Sequence, residues 1–447
     1  MKNIVIGAGA GYAGDRIEPA EELVRSGRLD YIVFECLAER TIALAQQRKL
    51  NDCKKGYDEL LPQRMMRLLP HCHVHGVKLI TNMGAANPLA ALEMTVEIAQ
   101  RHGLTGMKIA AVTGDDVKKV MTRLNPVILE TGKSMSELWS DCFSANAYLG
   151  AESIVPALAS GAHVVITGRV ADPSLFVAPM MYEFGWMPDQ WTLLGRGTVV
   201  GHLLECAGQV TGGYYADPGR KDVSGLGRLG FPLAEMTAAG DAVITKLDGT
   251  GGVVNLATCK EQLLYEIGDP SMYLTPDVTA DFTGVTLEQV GRNCISITGG
   301  GGRERPDSLK VSIGYRDGYI GEGEISYAGF GAVDRARLAG DIVRERLRIM
   351  GARYREIRYD LIGMNALHGR ASVLQKHYPY EVRLRVAART DTRDDAAVIG
   401  NEVEALYTNG PAAGGGARKL IREIMAVGSS FVPRDVVQTE ITMKEVK

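Results

Sequence analysis

The chain has 447 residues, of which 45% are hydrophobic and 23% are charged, and its formal net charge is -3. This length is sufficient for two or three domains, and the small net charge argues against partners such as nucleic acid or an anionic membrane surface. No stretch approaches ~18 uninterrupted apolar residues, and the seven cysteines are scattered without a C-x-x-C pair, which is typical of reduced thiols. The first residues run directly into a strand, so we expect a cytoplasmic globular protein without a signal peptide.

The first predicted strand, residues 3–7, is followed by a glycine-rich loop. Three glycines of this loop match the G-x-G-x-x-G pattern of dinucleotide-binding sites, namely Gly9, Gly11 and Gly14. Glu35 ends the second predicted strand, about 20 residues further on, where an acid that binds a ribose would lie. However, the first helix is predicted to begin at Pro19, outside the glycines, whereas a dinucleotide fingerprint begins its helix within them. This spacing disfavours NAD(P), and the alternative is a loop that approaches another ligand or a subunit.

A short histidine cluster follows a charged segment that is predicted to be partly helical. His71, His73 and His75 would share one face if this stretch formed a strand. Such a row could contribute to a metal site, but three histidines so close in sequence are poorly placed to close a tetrahedral site by themselves. We therefore expect an exposed strand and assign no metal.

Two asparagines follow the third predicted strand, residues 77–81. The amide of Asn82 lies at the strand end and could contact a carboxylate or a carbonyl group of a substrate. Asn87 precedes Pro88, which is typical of a helix N-cap followed by a first-turn proline. For Asn87, substrate binding and simple helix capping both remain open.

The strand predicted over residues 163–167 ends in the sequence Gly-Arg-Val-Ala-Asp-Pro-Ser. Open α/β sheets bind ligands at the carboxyl ends of their strands, so this loop is a candidate site. Arg169, together with Thr167 and Asn82, would hold a carboxylate or a thioester carbonyl. Asp172 could order Arg169 or position a water molecule.

A helix is predicted around residues 198–209, and four reactive or polar side chains would share one of its faces. They recur at helical spacing and are His202, Glu205, Cys206 and Gln209. Glu205 or His202 would move a proton at the carbon next to the carbonyl group, and Gln209 would contact the substrate. Cys206, with His202 as its base, is an alternative nucleophile, although a buried cysteine more often serves packing.

The pattern of predicted elements indicates three regions. Strands near residues 3, 30, 77, 108 and 163 alternate with helices, which predicts a doubly wound, mostly parallel sheet in an α/β domain over residues 1–219. Residues 220–365 are expected to form an α+β region, with strands at 253–255, 309–315 and 319–328 among others. Residues 366–447 are expected to form a small C-terminal α+β domain.

Seven stretches together resemble the acyclic terpene utilisation AtuA family, and they cover essentially the full chain. They are GAGAGYAGDR (7–16), DYIVFECLAERT (30–41), TNMGAANP (81–88), VITGRVADPSL (165–175), GTVVGHLLECAGQVTGG (197–213), EQLLYEIGDP (261–270) and ALYTNGPAAGGGAR (405–418).

The resemblance implies a catabolic protein whose intermediates are carried as coenzyme A thioesters, and it adds no nicotinamide site. It also implies a ferredoxin-like form for the C-terminal region, or a small separate protein subunit that docks there. The family supplies no catalytic residues to transfer, so the site above comes from the residues themselves.

We therefore expect an enzyme acting on a small carboxylate or acyl-CoA by acid–base chemistry, most simply a lyase or hydratase, and a homo-oligomer. Two alternatives remain open. The first is a nucleotide-dependent oxidoreductase that uses the glycine loop. The second is a non-catalytic subunit of an acyl-CoA enzyme complex.

Overall fold

A computed structural model describes residues 2–372 and 379–447. The chain forms two compact units, the first comprising Met1–Gly314 with Val427–Lys447 and the second Tyr315–Ala426. The boundaries predicted after residues 219 and 365 lie inside the first and second unit respectively, and the three-domain division stays a prediction.

Strands make up much of both units. Along the described residues they are β1 (Asn3–Ala10), β2 (Tyr31–Phe34), β3 (Lys78–Thr81), β4 (Lys108–Thr113), β5 (Cys142–Ala147), β6 (Val164–Thr167), β7 (Pro232–Thr237), β8 (Ala242–Lys246), β9 (Tyr273–Leu274), β10 (Thr279–Asp281), β11 (Thr286–Gly291), β12 (Cys294–Thr298), β13 (Gly301–Arg303), β14 (Ser308–Ala328), β15 (Glu356–Ile362), β16 (Glu381–Thr390), β17 (Gly415–Pro433) and β18 (Glu440–Glu445).

The helices connect these strands. They are α1 (Glu18–Arg25), α2 (Glu39–Asn51), α3 (Leu61–His75), α4 (Pro88–Arg101), α5 (Lys118–Leu124), α6 (Met135–Leu138), α7 (Val155–Ala159), α8 (Ser174–Phe184), α9 (Trp191–Glu205), α10 (Leu256–Leu264), α11 (Ala332–Ile349), α12 (Arg393–Glu404) and α13 (Leu406–Asn409). No helix among the described residues is both long enough and apolar enough to cross a membrane.

The first unit is built on a ten-stranded sheet in the order β11-β12-β8-β7-β1-β2-β3-β6-β4-β18. The five central strands, β1, β2, β3, β6 and β4, run parallel to their neighbours in this group. The outer strands β7, β8, β12, β11 and β18 pair antiparallel. A mixed α/β fold with a large sheet is therefore confirmed, and the finer doubly wound description stays a prediction.

The central strands are apolar and buried along their length, as expected of parallel strands that are covered on both faces. All four residues of β2, and likewise of β6, are buried. Because parallel strands point the same way, the loops that follow β1, β2, β3 and β6 meet at one edge of the sheet. This edge receives the glycine loop, Glu35, Asn82 and Arg169.

The histidine cluster lies on a helix and not on a strand, so that prediction was wrong. His71, His73 and His75 lie at the end of α3, and Gly76 follows them as the C-cap in the left-handed conformation. Buried residues recur along α3 at helical spacing, and this longer pattern determines the structure of the stretch. In the part of the chain that the structure describes, no group of three or more His, Cys, Asp or Glu side chains is placed to hold a metal ion.

Other predicted elements differ in extent. Residues 253–255 form no strand, because Asn255 instead caps α10 through its side-chain oxygen. The segments 309–315 and 319–328 belong to the single strand β14, since the intervening Gly318 does not interrupt the ladder. The first strand extends to Ala10, so Gly9 lies within β1 and not in a loop.

The second unit contains a sheet in the order β15-β16-β14-β17. Helices α11 and α12 both pack on β16. The inward-facing residues of the strands alternate along the chain, as in Val382, Leu384 and Val386 of β16, and they form the core of this unit with apolar residues of the two helices.

Candidate functional site

A cavity of about 1250 Å³ opens in the first unit, at the carboxyl ends of the parallel strands. Eight of the residues predicted from the sequence line it, namely Gly11, Gly14, Glu35, Arg169, Asp172, Glu205, Cys206 and Gln209. The strand-end loops of β1, β2 and β6 and the end of α9 therefore contribute to one cavity.

Five predicted residues lie outside the cavity lining. Gly9 lies within β1, and a Cβ atom there would meet the ring of Phe34. The hydroxyl group of Thr167 donates to the backbone oxygen of Gly168 and is fully buried. Asn87 caps α4, and its amide also donates to two backbone carbonyls of the 53–55 loop, so its observed role is structural. Asn82 and His202 act on residues that do face the cavity.

Arg169 lies at the floor of the cavity and is almost completely buried. Its Nη1 atom donates to the backbone oxygen of Leu37 and lies 3.0 Å from Oδ1 of Asp172. The guanidinium group stacks 4.1 Å above the ring of Tyr148. Burial alone would lower the pKa of Arg169, but the charge of Asp172 and the neighbouring Tyr148 outweigh it and raise the pKa. Arg169 is therefore a fixed cation, and its buried Nε atom has no hydrogen-bond partner.

Glu35 faces the cavity beside this cation. Its Oε1 atom accepts hydrogen bonds from the backbone N–H of Leu37, at 2.8 Å, and from Nδ2 of Asn82, at 2.9 Å. The Oδ1 atom of Asn82 in turn accepts from the backbone N–H of Cys36. Asn82 therefore orients Glu35, and the predicted contact of Asn82 with a substrate stays a prediction.

Glu205 and His202 form a buried pair at the end of α9. The Nδ1 atom of His202 lies 2.8 Å from Oε1 of Glu205. The imidazole ring lies behind Glu205, and its centroid is 5.7 Å from the rings of both Tyr273 and Phe282. Burial lowers the pKa of His202 to about 4 and raises the pKa of Glu205 well above its usual value. Burial therefore favours the neutral form of both groups, an imidazole next to a protonated carboxyl group.

Three carboxyl groups share the cavity floor with Arg169. Burial raises the pKa of Glu35 to about 8, and the negative charge of Asp172 adds to this effect. The pKa of Asp172 is also raised by burial, although its contact with Arg169 favours the charged form. Like charges this close do not all ionise together. Contact with Arg169 therefore makes Asp172 the carboxyl group best placed to be the anion, whereas burial favours the uncharged forms of Glu35 and Glu205.

Cys206 lines the cavity but is poorly suited to act as a nucleophile. Burial, with the neighbouring Glu205, raises the pKa of its thiol. The thiolate is the reactive form of cysteine, and this environment disfavours it. The raised pKa therefore argues against Cys206 as the nucleophile. The predicted stripe is also interrupted, because α9 ends at Glu205 and Gln209 lies in a separate helical turn after Ala207, whose φ is positive.

A second charged cluster lines the same cavity. Tyr148 donates a hydrogen bond from its hydroxyl group to Glu39, which also accepts from Lys310 at 3.1 Å. The Nζ atom of Lys310 lies 4.8 Å from the centre of the Tyr148 ring, whose π-system also contacts Arg169. Burial alone would raise the pKa of Glu39, but the hydrogen bond from Tyr148 and the charge of Arg169 lower it to about 2. Tyr148 and Lys310 were missed in the sequence because neither lies in a motif.

Asp115 supports the loop that carries Arg169. One of its oxygens accepts from the backbone N–H of Arg169 at 2.9 Å and from Nδ2 of Asn146 at 2.8 Å. A Cβ atom on Gly168 would lie 2.4 Å from this carboxylate, so glycine is required there. Burial raises the pKa of Asp115 to about 6 despite these hydrogen bonds. Asp115 thus positions Arg169 from behind the cavity.

The glycine loop differs from a dinucleotide cradle. Helix α1 begins at Glu18, beyond the glycines, as predicted. The backbone N–H of Gly11, which a pyrophosphate would need, already donates to the carboxylate of Asp15 at 3.0 Å. Arg64 stabilises the loop, because its Nη2 atom donates to the backbone oxygens of Ala13 and Asp15. Gly11 instead allows a close approach to α9, because a Cβ atom there would lie 2.5 Å from the backbone carbon of Cys206.

We expect Gly11→Ala to lower the free energy of unfolding by ~1–3 kcal/mol, because its methyl group overlaps backbone atoms that cannot rotate away. Gly227→Ala is the matched control, since nothing lies within 4 Å of its added Cβ atom. Urea unfolding of both variants measures the difference. Equal stability of the two would show that the loop does not pack against Cys206 as described.

Comparison with known proteins identifies a family and no individual relative. A family model described as "acyclic terpene utilisation family protein AtuA" matches residues 4–443. No curated protein and no solved structure gives a significant match to the chain.

Proposed function

Since the chain belongs to the acyclic terpene utilisation AtuA family, we propose that it is a catabolic enzyme that adds or removes water at an unsaturated carboxylate or acyl-CoA thioester. The observation that carries this proposal is the cavity lining, where Asp172 lies 3.0 Å from Arg169 and burial favours the protonated form of Glu205. Hydration of a carbon–carbon double bond needs one proton donor and one base, and these groups supply both.

The protonation states favour a specific assignment of roles. In the hydration direction Asp172 takes a proton from water as the water oxygen bonds to the β-carbon. The electrons of the double bond shift to the α-carbon, which receives a proton from Glu205. Elimination of water follows the same steps in reverse. His202, with its low pKa, acts through Glu205 and does not reach the substrate itself.

The Oε2 atom of Glu205 is the group best placed to reach the substrate. It is buried and has no hydrogen-bond partner among the described residues, and Glu205 itself lines the cavity. A buried polar atom without a partner costs free energy, so such atoms are typical of sites that a ligand completes. Oε1 is held by His202, so the free oxygen is the one that would transfer the proton.

The charge of the cavity lining affects which part of a substrate can enter the cavity. Six acidic side chains line it, Asp15, Glu35, Glu39, Asp172, Glu205 and Glu266, against three basic ones, Arg16, Arg169 and Lys310. Because Glu35 and Glu205 favour their uncharged forms, only four other acidic side chains stand against these three basic ones, and the cavity offers the phosphates of coenzyme A little net attraction. If the substrate is a thioester, we infer that its acyl end enters and its nucleotide end stays outside. Leu229, Phe231, Leu274 and Phe431 supply an apolar wall for a hydrocarbon chain.

Isotope exchange tests this proposal across a range of candidate substrates. We expect the enzyme in D₂O to place deuterium on the α-carbon of at least one member of a panel of unsaturated or 3-hydroxy carboxylates and acyl-CoA thioesters, detected by mass spectrometry. The protein-free reaction is the control. A panel without exchange, using protein of native stability, would contradict acid–base chemistry at this cavity and favour the non-catalytic subunit.

We also infer a ferredoxin-like arrangement for the second unit. The chain order there is β14-α11-β15-β16-α12-β17, and the sheet order β15-β16-β14-β17 interleaves the two halves of this repeat. This agrees with the ferredoxin-like expectation, although the unit begins well before residue 366.

A further inference from the structure

Glu35 has a geometry that neither proton transfer nor nucleotide binding explains. Its two hydrogen bonds, from Leu37 and Asn82, both reach the same oxygen, Oε1. No hydrogen bond from the described residues reaches Oε2, although Glu35 lines the cavity. Two donors, one in the loop after β2 and one in the loop after β3, thus orient the carboxyl group and leave one oxygen for a ligand.

Burial favours the uncharged form of Glu35, and it outweighs Arg169 and the two hydrogen bonds to Oε1, which favour the charged form. The ionisable side chains that act on it are Asp172 and Arg169, and the neighbouring thiols of Cys36 and Cys206 are themselves affected by its charge. Burial and the nearby Asp172 raise the pKa of Glu35 to about 8, so it carries a proton at neutral pH. Because Oε1 accepts two hydrogen bonds, the proton resides on Oε2, which becomes a donor towards the cavity.

We propose that Glu35 is a catalytic residue that, beside Arg169, donates a hydrogen bond to the carbonyl oxygen of the substrate and stabilises the negative charge that develops there. Glu35 keeps its proton throughout. A neutral carboxylic acid in a buried site is an effective donor of this kind, since it needs no reorganisation as charge develops.

This inference rests on the proposed function and restricts the substrate. The double bond must be conjugated to a carbonyl group, or the hydroxyl group must lie on the β-carbon. As water adds to the β-carbon, electrons pass through the α-carbon onto the carbonyl oxygen, where Glu35 and Arg169 hold the enolate. Protonation of the α-carbon by Glu205 then restores the carbonyl. An isolated alkene or a simple alcohol would not use Glu35.

Two substitutions of Glu35 separate hydrogen-bond donation from proton transfer. Glu35→Met removes the donor at similar volume, and we expect kcat/KM to fall ~10²–10³-fold. Glu35→Gln keeps a neutral donor, because its amide N–H can replace the O–H group, and we expect it to stay within roughly tenfold of the wild type. Full activity of the methionine variant, or equal inactivity of both variants, would overturn the proposal.

The pH dependence gives a second test. Wild-type kcat/KM should fall above pH 8, as Glu35 ionises and repels the enolate, and in Glu35→Gln the alkaline limb should change, because only the ionisation of Glu205 then contributes to it. An alkaline limb unchanged in the glutamine variant would contradict the role of Glu35. If Glu205→Gln abolishes exchange while Glu35→Met does not, the proposed function stands and this inference fails. If the wild type itself shows no exchange, the proposed function fails first.

A spectroscopic measurement keeps the proposal testable if the methionine variant does not fold. The infrared difference spectrum of wild type minus Glu35→Gln at pH 7 should show the C=O band of a protonated carboxylic acid, shifted in D₂O. Bands of an ionised carboxylate in its place would show that Glu35 is charged and cannot donate.

Discussion

Glu205→Gln should lower kcat/KM for hydration or deuterium exchange by ~10²–10⁴-fold, the usual contribution of a positioned general acid. Glutamine has nearly the shape of the protonated side chain, but it cannot give a proton to the α-carbon. The amide can still contact Nδ1 of His202, which lies 2.8 Å from Oε1 in the native pair. Substrate binding should therefore change less than turnover, and the loss should be mainly in kcat.

The fold of this variant should survive, and its stability should reveal the protonation state of Glu205. Burial raises the folded-state pKa of Glu205 above its unfolded value, so the wild type loses stability as pH rises between those two values. Glutamine does not titrate, so the variant should equal or exceed the wild type in stability at pH 8. Glu59→Gln is the control, since that side chain is 76% exposed and lies on the surface. Turnover retained at the wild-type level would remove Glu205 from the mechanism.

The sequence located the cavity because strand ends in a parallel sheet converge. The loops after β1, β2 and β6 each carry an unusual combination of glycine and charge, and the alternation of strands and helices indicated that they meet. Arg169, Asp172 and Glu205 could be predicted in this way, since each lies in or beside a strand-end loop or on a polar helix face.

Roles were harder to predict than positions, because burial decides them. Spacing alone offered a ribose-binding role for Glu35, which the late start of the first helix disfavoured, and its two hydrogen bonds to Leu37 and Asn82 could not be read from the sequence. His202 was predicted at the surface of the site, but it lies behind Glu205 between two aromatic rings. No local pattern reveals which member of a helical stripe will be covered.

Contacts between residues distant in sequence could not be predicted at all. Lys310 reaches Glu39 and Tyr148 from β14, which lies more than one hundred and fifty residues beyond either of them. Asp115, in the loop after β4, fixes the backbone of Arg169. Each has an ordinary sequence environment, and its role follows from the order of strands in the sheet.

Arg169→Met is expected to abolish turnover and to lower the free energy of unfolding by ~1–3 kcal/mol, the cost of leaving hydrogen-bonding groups in a buried site without their partner. The substitution leaves the backbone oxygen of Leu37 without its donor and Asp172 without its counter-charge. It also removes the cation that stacks on Tyr148. Activity assays and urea unfolding measure the two effects separately. Native stability in the methionine variant would show that Arg169 is not the buried partner of Asp172.

The stability loss should depend on pH, and this dependence identifies its cause. Arg169 favours the charged forms of Glu35 and Asp172, so its removal raises both pKa values further. A carboxyl group whose folded-state pKa is raised costs stability as pH rises from its unfolded value through its folded one. The deficit of Arg169→Met should therefore be smaller at pH 5 than at pH 8.

Arg169→Lys is the matched control for this prediction. It keeps the charge but loses the planar stack on Tyr148, so its loss of stability should be smaller and nearly independent of pH. If the methionine variant loses the same stability at both pH values, the loss comes from packing. Arg169 would then have no effect on the ionisation of the three carboxyl groups.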